Sequence, residues 1–157
     1  MKIEIKNVKH SEFASHETSC FEASVYIDGV RAGIVENDGQ GGCNRYHPHD
    51  LEIKIDTYAK TLQSKFSDLS YDEDADTVIG DLLTEHLYSK DLKRALAKKI
   101  MYVKDDGQIY ETKSLTKLQM QIYLAKANIQ ETLKTQKILN TLPFSEALSI
   151  YRRGAHV

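Results

Sequence analysis

Apolar and polar residues alternate along the first third of the chain. Ile3 and Ile5 alternate with Lys2, Glu4 and Lys6, the period of a half-buried strand. Phe21, Ala23, Val25 and Ile27 then alternate with Glu22, Ser24 and Tyr26, and Asp28-Gly29 follows. Asp-Gly is a strong hairpin signal, because a tight primed turn needs positive φ at both central positions. A turn there pairs Ile27 with Val30, Val25 with Ala32 and Ala23 with Ile34, which predicts all of these on one face. The stretch 37–49 has no periodicity and holds Gly39, Gly41, Gly42 and Pro48, so it reads as a long loop.

Helical spacing takes over afterwards. Ile55, Tyr58, Ala59 and Leu62 predict a helix over about 50–65, with a short strand as the alternative for its first residues. The run 67–76 reads as an acidic loop. Val78, Ile79, Leu82, Leu83, Leu87, Leu92 and Leu96 predict one long amphipathic helix over 75–99, or two with a break near Ser89. Asp105-Asp106-Gly107 predicts a three-residue hairpin loop that sets Val103 opposite Ile109 and Tyr102 opposite Tyr110. Leu118, Ile122, Ala125, Ile129 and Leu133 form one stripe of a helix over 115–135, a stripe too short for a coiled coil and so expected to pack within the chain. A short strand over 137–140 and a last helix over 144–153, opened by Pro143 and closed by Gly154, complete the pattern.

The fold class this predicts is α+β. An N-terminal antiparallel hairpin or sheet (1–49, with the glycine-rich loop) precedes a mainly helical half (50–157) that contains a second small hairpin. A length of 157 residues fits one domain. The chain is 41% apolar, with no apolar run approaching the roughly 20 residues of a membrane helix. Charged residues stand where a signal peptide would have its apolar stretch. Cys20 and Cys43 are too few for a disulfide framework, which points to a reducing cytoplasm.

The net charge of −2 conceals a polarity. Residues 1–49 hold 5 basic and 7 acidic side chains, residues 50–91 hold 4 and 11, and residues 92–157 hold 12 and 5. Such blocks mark either an internal match or separate partner surfaces.

Candidate chemistry is sparse. Bare N–H groups at Gly39, Gly41 and Gly42 could approach a phosphate, with Arg45 and His47 adding charge. This is the candidate small-ligand site, although the spacing matches neither a dinucleotide fingerprint nor a P-loop. Cys43, His47 and His49, with Cys20 or Asp50, have zinc-ligand chemistry but lack paired-ligand spacing, so no metal and no cofactor is expected. His10 and His16 fall in a polar connection between strands. No nucleophile elbow, zincin helix or isolated carboxylate pair is present, so catalysis is not expected. Asp72, Glu73, Asp74 and Asp76 lack the glycine and distal glutamate of a calcium loop; they are the candidate partner-binding acids. Lys90, Arg94 and Lys98 share a helical face, but a pI near 6.3 argues against a dedicated nucleic-acid binder.

The segments Asn7 to Ser15, Thr18 to Ala23, Val25 to Gly29 and Asn37 to Gly42, and the ending Lys137 to Leu148, resemble small uncharacterised proteins encoded by phages and prophages. The resemblance covers most of the chain and assigns no residue a role. It implies a phage-type accessory protein of the host cytoplasm that acts by binding, with inhibition of a host anti-phage defence complex as the expected task. A host protein complex is the expected partner, self-association into a homo-oligomer is a further possibility, and no membrane or nucleic acid is expected. The alternative is a protein that sequesters a nucleotide signal through loop 37–49.

Overall fold

The alternating segments form antiparallel strands in the computed structural model, which describes residues 1–62, 73–135 and 137–154. Strands β1 (Ile3–Ser11), β2 (Cys20–Ile27), β3 (Val30–Asn37) and β4 (Arg45–His47) lie in that order in one sheet. His10 therefore belongs to β1, opposite Phe21, and not to the connection after it. The Asp28-Gly29 turn forms as its chemistry demands, with φ of 49° and 83°.

The register beyond that turn corrects the sequence expectation. Ile27 faces Val30, but Val25 faces Gly33 and Ala23 faces Val35. Ala32 is the extra residue of a β-bulge, so Ile34 turns to the opposite face from Val35. The cause is packing. A Cβ at Gly33 would stand 2.1 Å from the His47 carbonyl oxygen and 2.8 Å from Leu51 Cδ2. Only glycine fits that point, and the slip of one residue delivers it there while burying Val35 and Asn37. A second bulge lies between Lys6 and Lys9 of β1, at Asn7, whose φ is 54°. Asparagine is among the few residues that tolerate this left-handed conformation.

Helix α1 (Asp50–Ala59) buries Leu51, Ile55 and Ala59, spaced four apart, while Ile53 stays 59% exposed. The strand alternative for residues 51–55 is thereby excluded. The helix stops at Ala59; the last residues of the expected 50–65 span, and most of the acidic run 67–76, lie outside the described residues. Helix α2 (Ala75–Leu96) is continuous through Ser89.

The chain divides into two compact units, Met1–Thr84 and Glu85–Val157, with the boundary inside α2. Val25, Val35, Leu51, Ile55 and Ile79 are fully buried in the first. In the second, β5 (Met101–Val103) pairs with β6 (Ile109–Glu111) in the expected register, Val103 to Ile109 and Tyr102 to Tyr110, and Gly107 takes a φ of 78°. Strand β7 (Lys137–Ile138) adds to the other edge of β5. Asn140, in the 3₁₀ turn Leu139–Thr141, ties this unit together. Its Oδ1 accepts from the Met101 N–H at 2.8 Å, and its Nδ2 donates to the carbonyls of Lys99 (2.9 Å) and Leu96 (3.3 Å). The last carbonyl of α2 and one in the turn that follows it are thus satisfied by one side chain.

The expected helix over 115–135 is instead two: α3 (Lys117–Leu124) and α4 (Ile129–Leu133). Thr116 and Gln119 close a capping box at the start of α3. The turn at 125–128 resets the helical phase, so the predicted stripe does not persist. Ile129 is buried, whereas Leu118 and Ile122 are 66% and 54% exposed. The expectation that this stripe packs within the chain fails at both. Leu115, Met120 and Leu124 pack instead against Ile100, Ile129 and Ile138. Helix α5 (Phe144–Gly154) buries Ala147 and Ile150 against Leu92, Met101 and Leu139. The architecture is α+β, and among the described residues no helix is long and apolar enough to cross a membrane.

Two glycines give opposite predictions. Gly33→Ala should lose about 1–3 kcal/mol or more, since backbone and Leu51 must both yield. Gly80→Ala, in mid-helix with nothing near its missing Cβ, should gain about 0.5–1 kcal/mol. Urea denaturation of both variants checks the pair.

Candidate binding surfaces

Asn37 ends β3 with its side chain buried, and the glycine-rich loop is built on it. Its Oδ1 accepts from the Gly39 N–H (2.9 Å) and the Thr18 hydroxyl (2.7 Å). Its Nδ2 donates to the Gly42 carbonyl and to Asn44 Oδ1, both at 3.2 Å. The loop is further sewn to residues 14–18. The Gly39 carbonyl accepts from the backbone N–H groups of His16 (2.9 Å) and Glu17 (3.0 Å), and the Gly41 N–H reaches Thr18 Oγ1 at 3.3 Å. A Cβ on Gly39 would lie 2.2 Å from the Ala14 carbonyl oxygen, and one on Gly41 would lie 2.6 Å from the Glu17 carboxylate. Both glycines have positive φ. Their presence is accounted for by close approach and backbone conformation, and the N–H groups of Gly39 and Gly41 are already engaged.

Strand β4 separates the remaining members of the predicted constellation. Tyr46 points inward and is buried, while Arg45 and His47 alternate onto the opposite face of the sheet. Arg45 sits between two carboxylates, Nε 3.3 Å from Glu36 and Nη1 3.0 Å from Asp38. Those carboxylates raise the Arg45 pKa above its ordinary value, Asp38 foremost. Asp38 is held below the usual carboxylate range by the Gln40 backbone N–H and then by Arg45. His47 Nε2 lies 3.6 Å from the same Glu36. The structure thus gathers Arg45, His47, Glu36 and Asp38, and sets the bonded N–H groups of Gly39 and Gly41 apart from them.

This face carries a row of charges across all the strands. Lys9 faces Glu22, Glu22 faces Glu36, and Glu36 faces Arg45. Like charges directly opposite each other are unfavourable. Here each acid has its own base on the outer side: Lys9 Nζ is 2.8 Å from Glu22, matching the Arg45 contact to Glu36. A shallow depression of about 340 Å³, lined by Lys9, Cys20, Glu22, Glu36, Asp38 and Arg45 among others, lies over the row. Its charges compensate one another, and the pairs are exposed and screened by solvent.

The acidic candidates also have structural partners. Asp72 lies outside the described residues. Glu73 is 8% exposed. Asp74 caps α2: its Oδ1 accepts from the N–H of Thr77 (2.7 Å) and from the Thr77 hydroxyl (2.6 Å), which together lower its pKa. Asp76 accepts from the Tyr46 hydroxyl at 2.7 Å and from the Asn44 N–H at 3.1 Å, tying α2 to β4. Of the described three, only Asp74 is exposed. Asn37, Thr18, Tyr46 and Asn140 were not singled out by sequence reasoning. Asn37 alone had a signal, the Asn-Asp-Gly that so often starts a side-chain-stabilised turn.

Two exposed apolar features stand apart from these polar ties. The outer side of α1 carries a wide, open hollow of about 510 Å³ lined by Met1, Ile53, Lys54, Thr57, Tyr58 and Thr61. In the second unit, Leu118, Ile122 and Tyr123 of α3 are exposed, while Met120 and Leu124 on its other side are half-buried. In comparisons with known proteins, no family model matches the chain, and neither a curated protein nor a solved structure is significantly similar to it.

The Tyr46–Asp76 contact makes a titration prediction. Burial, then the bond to Asp76, pushes the Tyr46 pKa well above its ordinary value. A raised pKa means that the folded state favours the protonated phenol. The stabilisation is therefore complete below the unfolded value of about pH 10 and is lost as pH rises beyond it. In an ultraviolet titration, ionisation of Tyr46 should lag behind the other tyrosines and appear only with unfolding, and Tyr46→Phe should remove that late step. An unchanged titration curve in the variant would sink this assignment.

Proposed function

We propose that this protein works by binding another macromolecule rather than by transforming a small one. In this reading it is a phage-type accessory protein of the host cytoplasm that inhibits a host anti-phage defence complex. The observation that carries the binding reading is the segregation of charge by structural unit. Residues 1–84 hold 8 Lys+Arg against 16 Asp+Glu, and residues 85–157 hold 13 against 7, giving nets of −8 and +6. Opposed fields of this kind steer association with charged protein surfaces. Exposed Leu118, Ile122 and Tyr123 supply the apolar contact that charge alone does not. Asp74 adds exposed negative charge at the start of α2. The phage-type and anti-defence parts of the proposal rest on the resemblance of segments such as Asn37 to Gly42.

The alternative, nucleotide capture by Gly39, Gly41, Gly42, Arg45 and His47, has less support. It needs free N–H groups and a free guanidinium, and those of Gly39, Gly41 and Arg45 are already paired. The two readings separate cleanly. Binding to purified defence complexes, followed by co-elution and by restored plaque formation in defended cells, should succeed with the intact protein. Cyclic nucleotides should leave its melting temperature unchanged. Failure to bind any defence complex would overturn the first reading; thermal stabilisation by a nucleotide that disappears in Arg45→Ala would establish the second.

A further inference from the structure

Phe13, in the connection between β1 and β2, is 94% exposed, more than any other large apolar side chain described. A single exposed apolar residue is ordinary on a protein surface. What sets Phe13 apart is the backbone that carries it. The Ser15 N–H donates to the Glu12 carbonyl at 3.2 Å, closing a β-turn over 12–15 with Phe13 at its first corner. Ser11 Oγ accepts from the Ala14 N–H at 3.3 Å. Ser15 Oγ donates to the Ser11 carbonyl at 2.7 Å and accepts from the Cys20 N–H at 2.8 Å. The Gly39 carbonyl then fixes His16 and Glu17. Residues 11–19 include Glu12 and Glu17 but no Lys or Arg. Both carboxylates are exposed, and among the described residues no base lies within ion-pair distance of either.

We propose that Phe13 is a preformed anchor that enters an apolar pocket of the host protein complex, with Glu12 and Glu17 meeting basic groups at the pocket's rim. The proposal deepens the binding reading above and rests on it. A mobile loop gives up backbone freedom when a partner orders it. Here the fold has fixed the turn already, so binding has only two side-chain torsions of Phe13 left to restrain. Aromatic side chains in desolvated pockets carry a large share of interface energy, and rim charges act mainly on the rate of encounter. The two unpaired carboxylates favour a basic protein surface over an anionic lipid one.

The probe is any purified defence complex that binds the intact protein. Phe13→Ala should weaken that binding about thirtyfold or more, mainly through faster dissociation. The Glu12→Gln/Glu17→Gln double variant should slow association and flatten its salt dependence. Because these side chains are exposed, the melting temperature of each variant should match that of the intact protein. Equal affinity of Phe13→Ala and the intact protein overturns the anchor and leaves the binding reading standing. If the intact protein binds no defence complex, the binding reading falls and the anchor with it. An unchanged association rate in the double variant overturns the basic rim. Flotation of the intact protein with phosphatidylcholine–phosphatidylglycerol vesicles, lost in Phe13→Ala, overturns the protein pocket in favour of a lipid surface.

Discussion

A carbonyl oxygen of His47 and a methyl of Leu51 occupy the space where residue 33 would carry a side chain. Much of the first unit follows from that contact. It brings α1 directly onto β3, which buries Leu51, Ile55 and Ala59 on one side and Val25 and Val35 on the other. It requires glycine at one strand position of the inner face, and the bulge at Ala32 supplies the offset that places it there. Because β4 pairs with β3 in register with Val35, the same offset turns Tyr46 inward and sends Arg45 and His47 outward to Glu36. The composition of the outer face is therefore a consequence of one tight contact on the inner face.

The second constraint is the satisfaction of buried polar groups. A loop of bare glycines exposes backbone donors and acceptors, and these cost free energy when left without partners. Asn37 uses both lone pairs and both N–H groups of its amide to settle the loop, and Thr18 bridges it to the preceding connection. Asn140 has the same role in the second unit, where it serves the end of α2, the turn after it and the start of β5. Among the described residues no side-chain polar atom is buried without a partner. Features that read as chemistry in the sequence thus serve architecture here: the glycines for close approach, Asp74 as a helix cap, Asp76 as the anchor of Tyr46.

What was legible in the sequence was what local physics decides. The Asp28-Gly29 turn, the Gly107 hairpin with its register, the start of α5 after Pro143 and the long α2 all follow from turn chemistry or periodicity. The misreadings share a cause, since each assumed a local pattern to run on undisturbed. The β2–β3 register looked ideal without a bulge, because alternation cannot register the helix that packs at Gly33. The 115–135 stripe looked like one helix, because periodicity does not see the turn at 125–128 that lets Ile129 reach its core. The site residues were harder still. Thr18 and Tyr46 matter through partners distant in sequence, Asn37 and Asp76, and single residue types carry no trace of that.

A net charge of −2 describes neither unit. A partner senses charge within about 8 Å at physiological ionic strength, so it meets the local balance and not the total. In the acidic unit many of the described carboxylates have internal partners: Asp56 accepts from the Ala75 N–H, Asp74 and Asp76 hold α2, and Glu36 and Asp38 share Arg45. In the basic unit Lys113, Lys117 and Lys134 stand in solvent with no carboxylate beside them among the described residues. Formal charge and available charge therefore diverge. Asp74 and Asp76 stand out in the sequence yet serve as cap and anchor of α2, whereas exposed Lys117 adjoins exposed Leu118. A surface that combines uncompensated charge with unburied apolar area gains from both when covered.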